Sequence, residues 1–116
     1  IIRAEVDSAN VLSAEDTYNQ ELPAFYSLDQ NYPNPFNPVT TISFSLLEGG
    51  ETEISIYDIS GKKVESILSK SLASGNHFIK YNASNLPSGM YFYKIVVNGN
   101  NGHSLFSSTK KMVLMK

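Results

Sequence analysis

The chain has 116 residues and a formal net charge of −2, with no cysteine and no tryptophan. That length suits one domain with an appendage, and the missing cysteine excludes a disulfide framework, thiolate catalysis and thiolate metal sites. No apolar run approaches the ~20 residues that cross a bilayer as a helix, and the charge lacks the concentrated basic surface that nucleic acids require.

The first residue is Ile1, so the chain reads as a piece of a longer polypeptide, with any signal peptide expected upstream. Ile2, Ala4 and Val6 alternate with Arg3, Glu5 and Asp7, the period of a short strand. This strand is expected to close an upstream domain or to form an ordered arm. Residues 13–23 are mostly Ser, Ala, Glu, Asp, Thr, Asn and Gln, a linker with little to bury. Six acids against Arg3 give residues 1–38 a charge of −5, whereas eight lysines against five acids give residues 39–116 a charge of +3. Residues 1–24 are therefore assigned to the end of an upstream domain plus an acidic linker, and residues 25–116 to a separate domain.

A first short strand is expected over residues 25–28. It leads into Tyr32-Pro33-Asn34-Pro35-Phe36-Asn37-Pro38, three prolines around one aromatic that looks buried. Proline has a fixed φ and no N–H, so this run is neither helix nor central strand. The residues before each proline, Tyr32, Asn34 and Asn37, are pushed towards extended geometry. β-type alternation follows at once, with Ile42, Phe44 and Leu46 on one face. Gly49-Gly50 turns the chain into residues 53–58, where Ile54 and Ile56 share a face. Ser60-Gly61 turns it again into residues 63–68. Ser74-Gly75-Asn76 precedes residues 77–81, with Ile79 and Tyr81 together. A connection containing Pro87 then leads to residues 90–97, which place Tyr91, Tyr93, Ile95 and Val97 on one face. The glycine and asparagine stretch 98–102 forms a hairpin turn, and a last strand runs over residues 105–115.

Seven short strands without a 3.6-residue period imply an all-β fold, an antiparallel immunoglobulin-like sandwich. Gly89-Met90-Tyr91 stands where such folds carry a tyrosine corner, with the hydroxyl bonded to upstream backbone.

Chemistry is sparse. His77 and His103 are the only imidazoles, and neither has a histidine or carboxylate at i+3 or i+4, so the chain shows no zinc motif. Catalytic elbows and phosphate-binding glycine loops are missing too. The carboxylate pairs Glu51 with Glu53 and Glu15 with Asp16 lie at a strand start and in the linker, where acid–base work is not expected. Asp29, Asn31, Asn34 and Asn37 offer oxygens to a hard cation but hold one carboxylate among them. The chain is not expected to be an enzyme, and no cofactor or metal is assigned. Two other binding roles remain open. One is a structural or adhesive spacer, and the other is a carbohydrate-binding module using Phe78, Phe92 or Phe106.

Four blocks in this order carry a resemblance. They are Tyr32 to Pro38, then Ile56-Tyr-Asp-Ile-Ser-Gly-Lys-Lys-Val64, then Asn85-Leu-Pro-Ser-Gly-Met-Tyr-Phe-Tyr-Lys-Ile95, and Thr109-Lys-Lys-Met-Val-Leu-Met-Lys116. Together they resemble the type A C-terminal sorting domain of the type IX secretion system of Bacteroidetes and their relatives. The immunoglobulin-like domain of flagellar hook-capping proteins is similar in fold.

The resemblance implies a non-catalytic secretion signal. Such a signal directs an upstream cargo domain of the same chain through the periplasm and outer membrane to the cell surface or exterior. The implied partners are the type IX translocon, its outer-membrane shuttle and a surface sortase. The sortase would cleave within residues 13–23, exposed on ordinary grounds as well, and replace the domain by an anchor. The matching positions are Pro33, Asn34, Pro35, Gly61, Gly89, Tyr91, Lys111, Val113 and Lys116. Position 81, often tryptophan in the family, is tyrosine and is expected to keep the core packed. The lysine-ended terminal strand is expected to fray or to offer an edge for strand addition.

Overall fold

The structure, a computed structural model, describes residues 25–116. The strand and linker expected within residues 1–24 lie outside the described residues. Seven strands follow one another: β1 (Ser27–Leu28), β2 (Val39–Leu46), β3 (Gly50–Tyr57), β4 (Lys63–Leu72), β5 (Gly75–Asn82), β6 (Gly89–Asn98) and β7 (Ser104–Leu114). All seven occupy the stretches that the alternation marks, and most extend a few residues further.

The strands form two antiparallel sheets, β1-β2-β5 and β4-β3-β6-β7. In the constant-type immunoglobulin arrangement the fourth strand joins the first sheet. Here it pairs with β3 instead, from Gly50 opposite Leu72 to Tyr57 opposite Lys63, with register shifts after Ile54 and Ile56.

Side chains alternate across each strand, so every second residue reaches the space between the sheets. Thr40, Ile42, Phe44 and Leu46 of β2 are buried there, facing Tyr91, Tyr93, Ile95 and Val97 of β6 and Met112 and Leu114 of β7. The serines of β2 point outward in the same alternation. Tyr81 fills the core position expected of it and donates from its hydroxyl to Glu65 at 2.5 Å, tying β5 to β4 across the sandwich. Burial and that carboxylate together push the Tyr81 phenol well above its usual range.

Phe106 departs from expectation. It lies opposite Val97, whose side chain is in the core, and stacks on Tyr26 with ring centroids 5.2 Å apart. The unbroken register from Gly89 opposite Leu114 to Val97 opposite Phe106 sets this facing, on the same side of β7 as Met112 and Leu114. Phe106 is therefore a packing residue rather than an open aromatic platform, while Phe78 on β5 is exposed.

Strand direction gives the sandwich two distinct poles. The 58–62 turn, the 83–88 connection, the proline run and the C-terminus gather at one pole. The turns at 47–49, 73–74 and 99–103 gather at the other. The described chain begins at this second pole, because Ser27 pairs with Ser45 near the far end of β2.

Candidate recognition site

At the first pole the proline run and the terminal strand, far apart in sequence, lie side by side. Phe36 bridges Leu114 in parallel, its N–H donating to the Val113 carbonyl at 3.0 Å and its carbonyl accepting from the Met115 N–H at 2.9 Å. The Asn34 Oδ1 accepts from the Val113 N–H at 2.9 Å, across 79 residues of chain. Gln30 adds a fourth bond, its Nε2 donating to the Lys111 carbonyl at 2.7 Å. The Phe36 ring is buried in the core, so the aromatic between the prolines anchors the run while its flanking amides form an edge seam.

The run is held from behind as well. Asn31 is buried, and its Nδ2 donates to Thr40 Oγ1 at 2.9 Å and to the Pro33 carbonyl at 3.1 Å. The Thr40 hydroxyl donates to that same carbonyl at 2.9 Å. Tyr93 reaches across the core, accepting from the Asn31 N–H at 2.8 Å and donating to the Asp29 carbonyl at 2.6 Å. Burial pushes this phenol up to about 12. The Asn31 and Asn34 amides, which looked like candidate cation ligands, thus serve backbone positioning.

The third block forms the tyrosine corner. Gly89 has φ +153°, a backbone that L side chains rarely adopt, and it starts β6 opposite Leu114. Two residues on, Tyr91 is buried and donates from its hydroxyl to the Pro87 carbonyl at 2.7 Å. Lys116 then closes the pole, its N–H bonded to Ser88 Oγ at 3.0 Å and its Nζ donating to the Ser84 carbonyl at 2.7 Å.

Pro33, Asn34, Gly89, Lys111, Val113 and Lys116 are therefore joined by backbone pairing and hydrogen bonds. Pro35 stands exposed between Asn34 and Phe36, and Tyr91 pins the adjoining loop. Gly61 belongs to the same pole but not to this network. It lies in the 58–62 turn at φ +87°, where a left-handed residue closes the loop. The Asp58 carboxylate accepts from Ser60 Oγ, Ser60 N–H and Lys62 N–H. These bonds, the Ser60 hydroxyl foremost, hold it below the usual carboxylate range.

The terminal strand is less open than its sequence implies. Its outer edge at residues 111–115 is occupied by Gln30, Asn34 and Phe36, and Met112 and Leu114 are fully buried. Gln30, Asn31, Phe36, Thr40 and Tyr93 are missing from the motif-derived site. The signal for Tyr93 was its place in a buried alternation, because a buried phenol must find a partner.

Among solved structures, the crystal structure of CopC from Methylosinus trichosporium OB3b aligns with a TM-score of 0.50 and 22% identity. The alignment spans 78% of this chain and 93% of that one, a likeness of fold. No curated protein matches the chain. A family model described as "Secretion system C-terminal sorting domain" matches residues 30–114, from just before the proline run to the end of β7. The chain belongs to this family, the C-terminal sorting signals of type IX secretion, which send proteins to the cell surface or exterior.

Proposed function

We propose that the pole formed by the proline run, the tyrosine corner and the terminal strand is the part of the signal that the type IX machinery reads. Pro33, Asn34, Pro35, Lys111, Val113 and Lys116 present the surface, while Gly61, Gly89 and Tyr91 hold its backbone. The domain, residues 25–116, acts without catalysis. An outer-membrane shuttle takes it from the translocon, and a surface sortase cuts within residues 13–23 and installs an anchor. One observation carries this reading. The Asn34 amide and the Phe36 backbone stitch the first motif to the last, so two blocks separated by the whole domain form a single surface.

The test fuses the whole chain behind an inert periplasmic reporter, in hosts with and without a type IX translocon. Reporter should reach the surface or medium only where the translocon is present. Equal retention in both hosts would overturn the reading.

A further inference from the structure

The first pole has a second face, formed by the outer side of the four-stranded sheet and the 58–62 turn. Met90 and Phe92 project outward from β6, opposite Val113 and Lys111 of β7, and Tyr57 of β3 lies opposite Phe92. Beneath the turn is a shallow depression of about 260 Å³ lined by Tyr57, Gly61, Phe92, Lys94 and Thr109. A Cβ built on Gly61 would meet nothing within 4 Å, so packing inside the domain does not require the space there. Ile59, at the tip of the same turn, is 73% exposed, and Met90 is 42% exposed. Isolated exposed apolar residues need no explanation, but a group beside an apolar depression marks an interaction surface.

The charge around this face is mostly positive. Lys62, Lys94 and Lys111 border it, and among the described residues the only ion pair joins Lys63 to Glu53. Asp58, the acid of the turn, already accepts three hydrogen bonds within its own loop. The face therefore presents more cations than carboxylates, Lys62, Lys94 and Lys111 against Asp58 once Lys63 and Glu53 are paired, whereas Glu48 and Glu51 lie towards the other pole.

The geometry points to a docking face, made by Ile59, Met90, Phe92, Lys62 and Lys94, for an acidic segment of a secretion-machinery protein that seats an apolar side chain under the 58–62 turn. Complementary charge would orient that segment and reject wrong partners, while burial of the apolar group supplies affinity. This rests on the sorting function and adds to it a second contact face and the chemistry of the partner. The face adjoins the seam between the proline run and the terminal strand, with Lys111 at their border.

The same whole-chain reporter fusion tests it. Lys62→Glu with Lys94→Glu, and separately Ile59→Ser, alter surface positions, of which Lys94 is half-buried, and should leave thermal unfolding close to that of the unmodified chain. Each should lower the exported fraction about tenfold, with reporter accumulating in the periplasm. Lys62→Arg with Lys94→Arg should retain export, and so should Phe78→Ser on the opposite sheet. If charge reversal weakens the fold, Lys62→Gln with Lys94→Gln removes the charges without creating repulsion and should show the same loss. Export of folded variants at the unmodified level would overturn the docking face while leaving the sorting function intact. Failure of the unmodified fusion to depend on the translocon would instead overturn both.

Discussion

Tyr93 shows how one hydroxyl can hold the chain that leads into the proline run. Its ring is fully buried, and its oxygen lies between the Asn31 N–H and the Asp29 carbonyl. Replacing it by phenylalanine keeps the ring but strands both backbone groups. A buried unpaired group costs about 1–3 kcal/mol, so Tyr93→Phe should destabilise by about that much in urea unfolding at neutral pH. Tyr91→Phe frees a part-buried carbonyl instead and should cost about 1 kcal/mol or less. Alkali gives a second check. Burial raises the Tyr93 pKa to about 12 from the ordinary 10.0, with the Asn31 N–H opposing the rise. A raised folded pKa means that the stabilisation is present below pH 10 and is lost as pH rises through about 12. Tyr93→Phe should flatten that alkaline decline, and an unchanged profile would contradict the role.

Among elements, the pairing of the proline run with β7 decides how the terminus behaves. A terminal strand with lysines at both ends looks free to peel, yet Asn34 and Phe36 occupy its edge. Asn34→Ala removes one acceptor near solvent, so its global cost should be modest, about 0.5–1.5 kcal/mol. Its local effect should be larger, with faster hydrogen exchange at the Val113 amide while exchange in mid-β6 is unchanged. Phe36→Ala should cost about 3–5 kcal/mol because it empties a core site. Alternation made β2 and β6 legible from sequence, since Ile42 to Leu46 and Tyr91 to Val97 repeat every second residue. The tyrosine corner was legible from its glycine and tyrosine spacing. Contacts such as Asn34 to Val113 leave no local period, because the partners are 79 residues apart. For the same reason the sheet that β4 joins became visible only in three dimensions, whereas the inward facing of Phe106 follows the alternation it shares with Met112 and Leu114.

At the scale of the whole domain, the described chain starts at one pole and the motif blocks meet at the other. Truncating residues 114–116 is therefore a poor probe of recognition, since it removes the fully buried Leu114 and with it part of the core. Point substitutions on exposed positions separate reading from folding. The parallel bridge between Phe36 and Leu114 has a further, mechanical consequence. Both segments run towards the same pole, so tension applied between Phe25 and Lys116 drags them past each other in opposite directions. The bonds from Phe36 and Asn34 to Val113 and Met115 lie across that pull and share it, rather than opening one after another. Forced unfolding follows the barrier rather than the equilibrium, so resistance to pulling need not track stability. In single-molecule stretching, Asn34→Ala should lower the rupture force by a larger fraction than it lowers stability. Rupture at unchanged force would show that the tension is borne elsewhere. A domain hauled by its motif pole against cargo at the other would thereby be fastened along the line of pull.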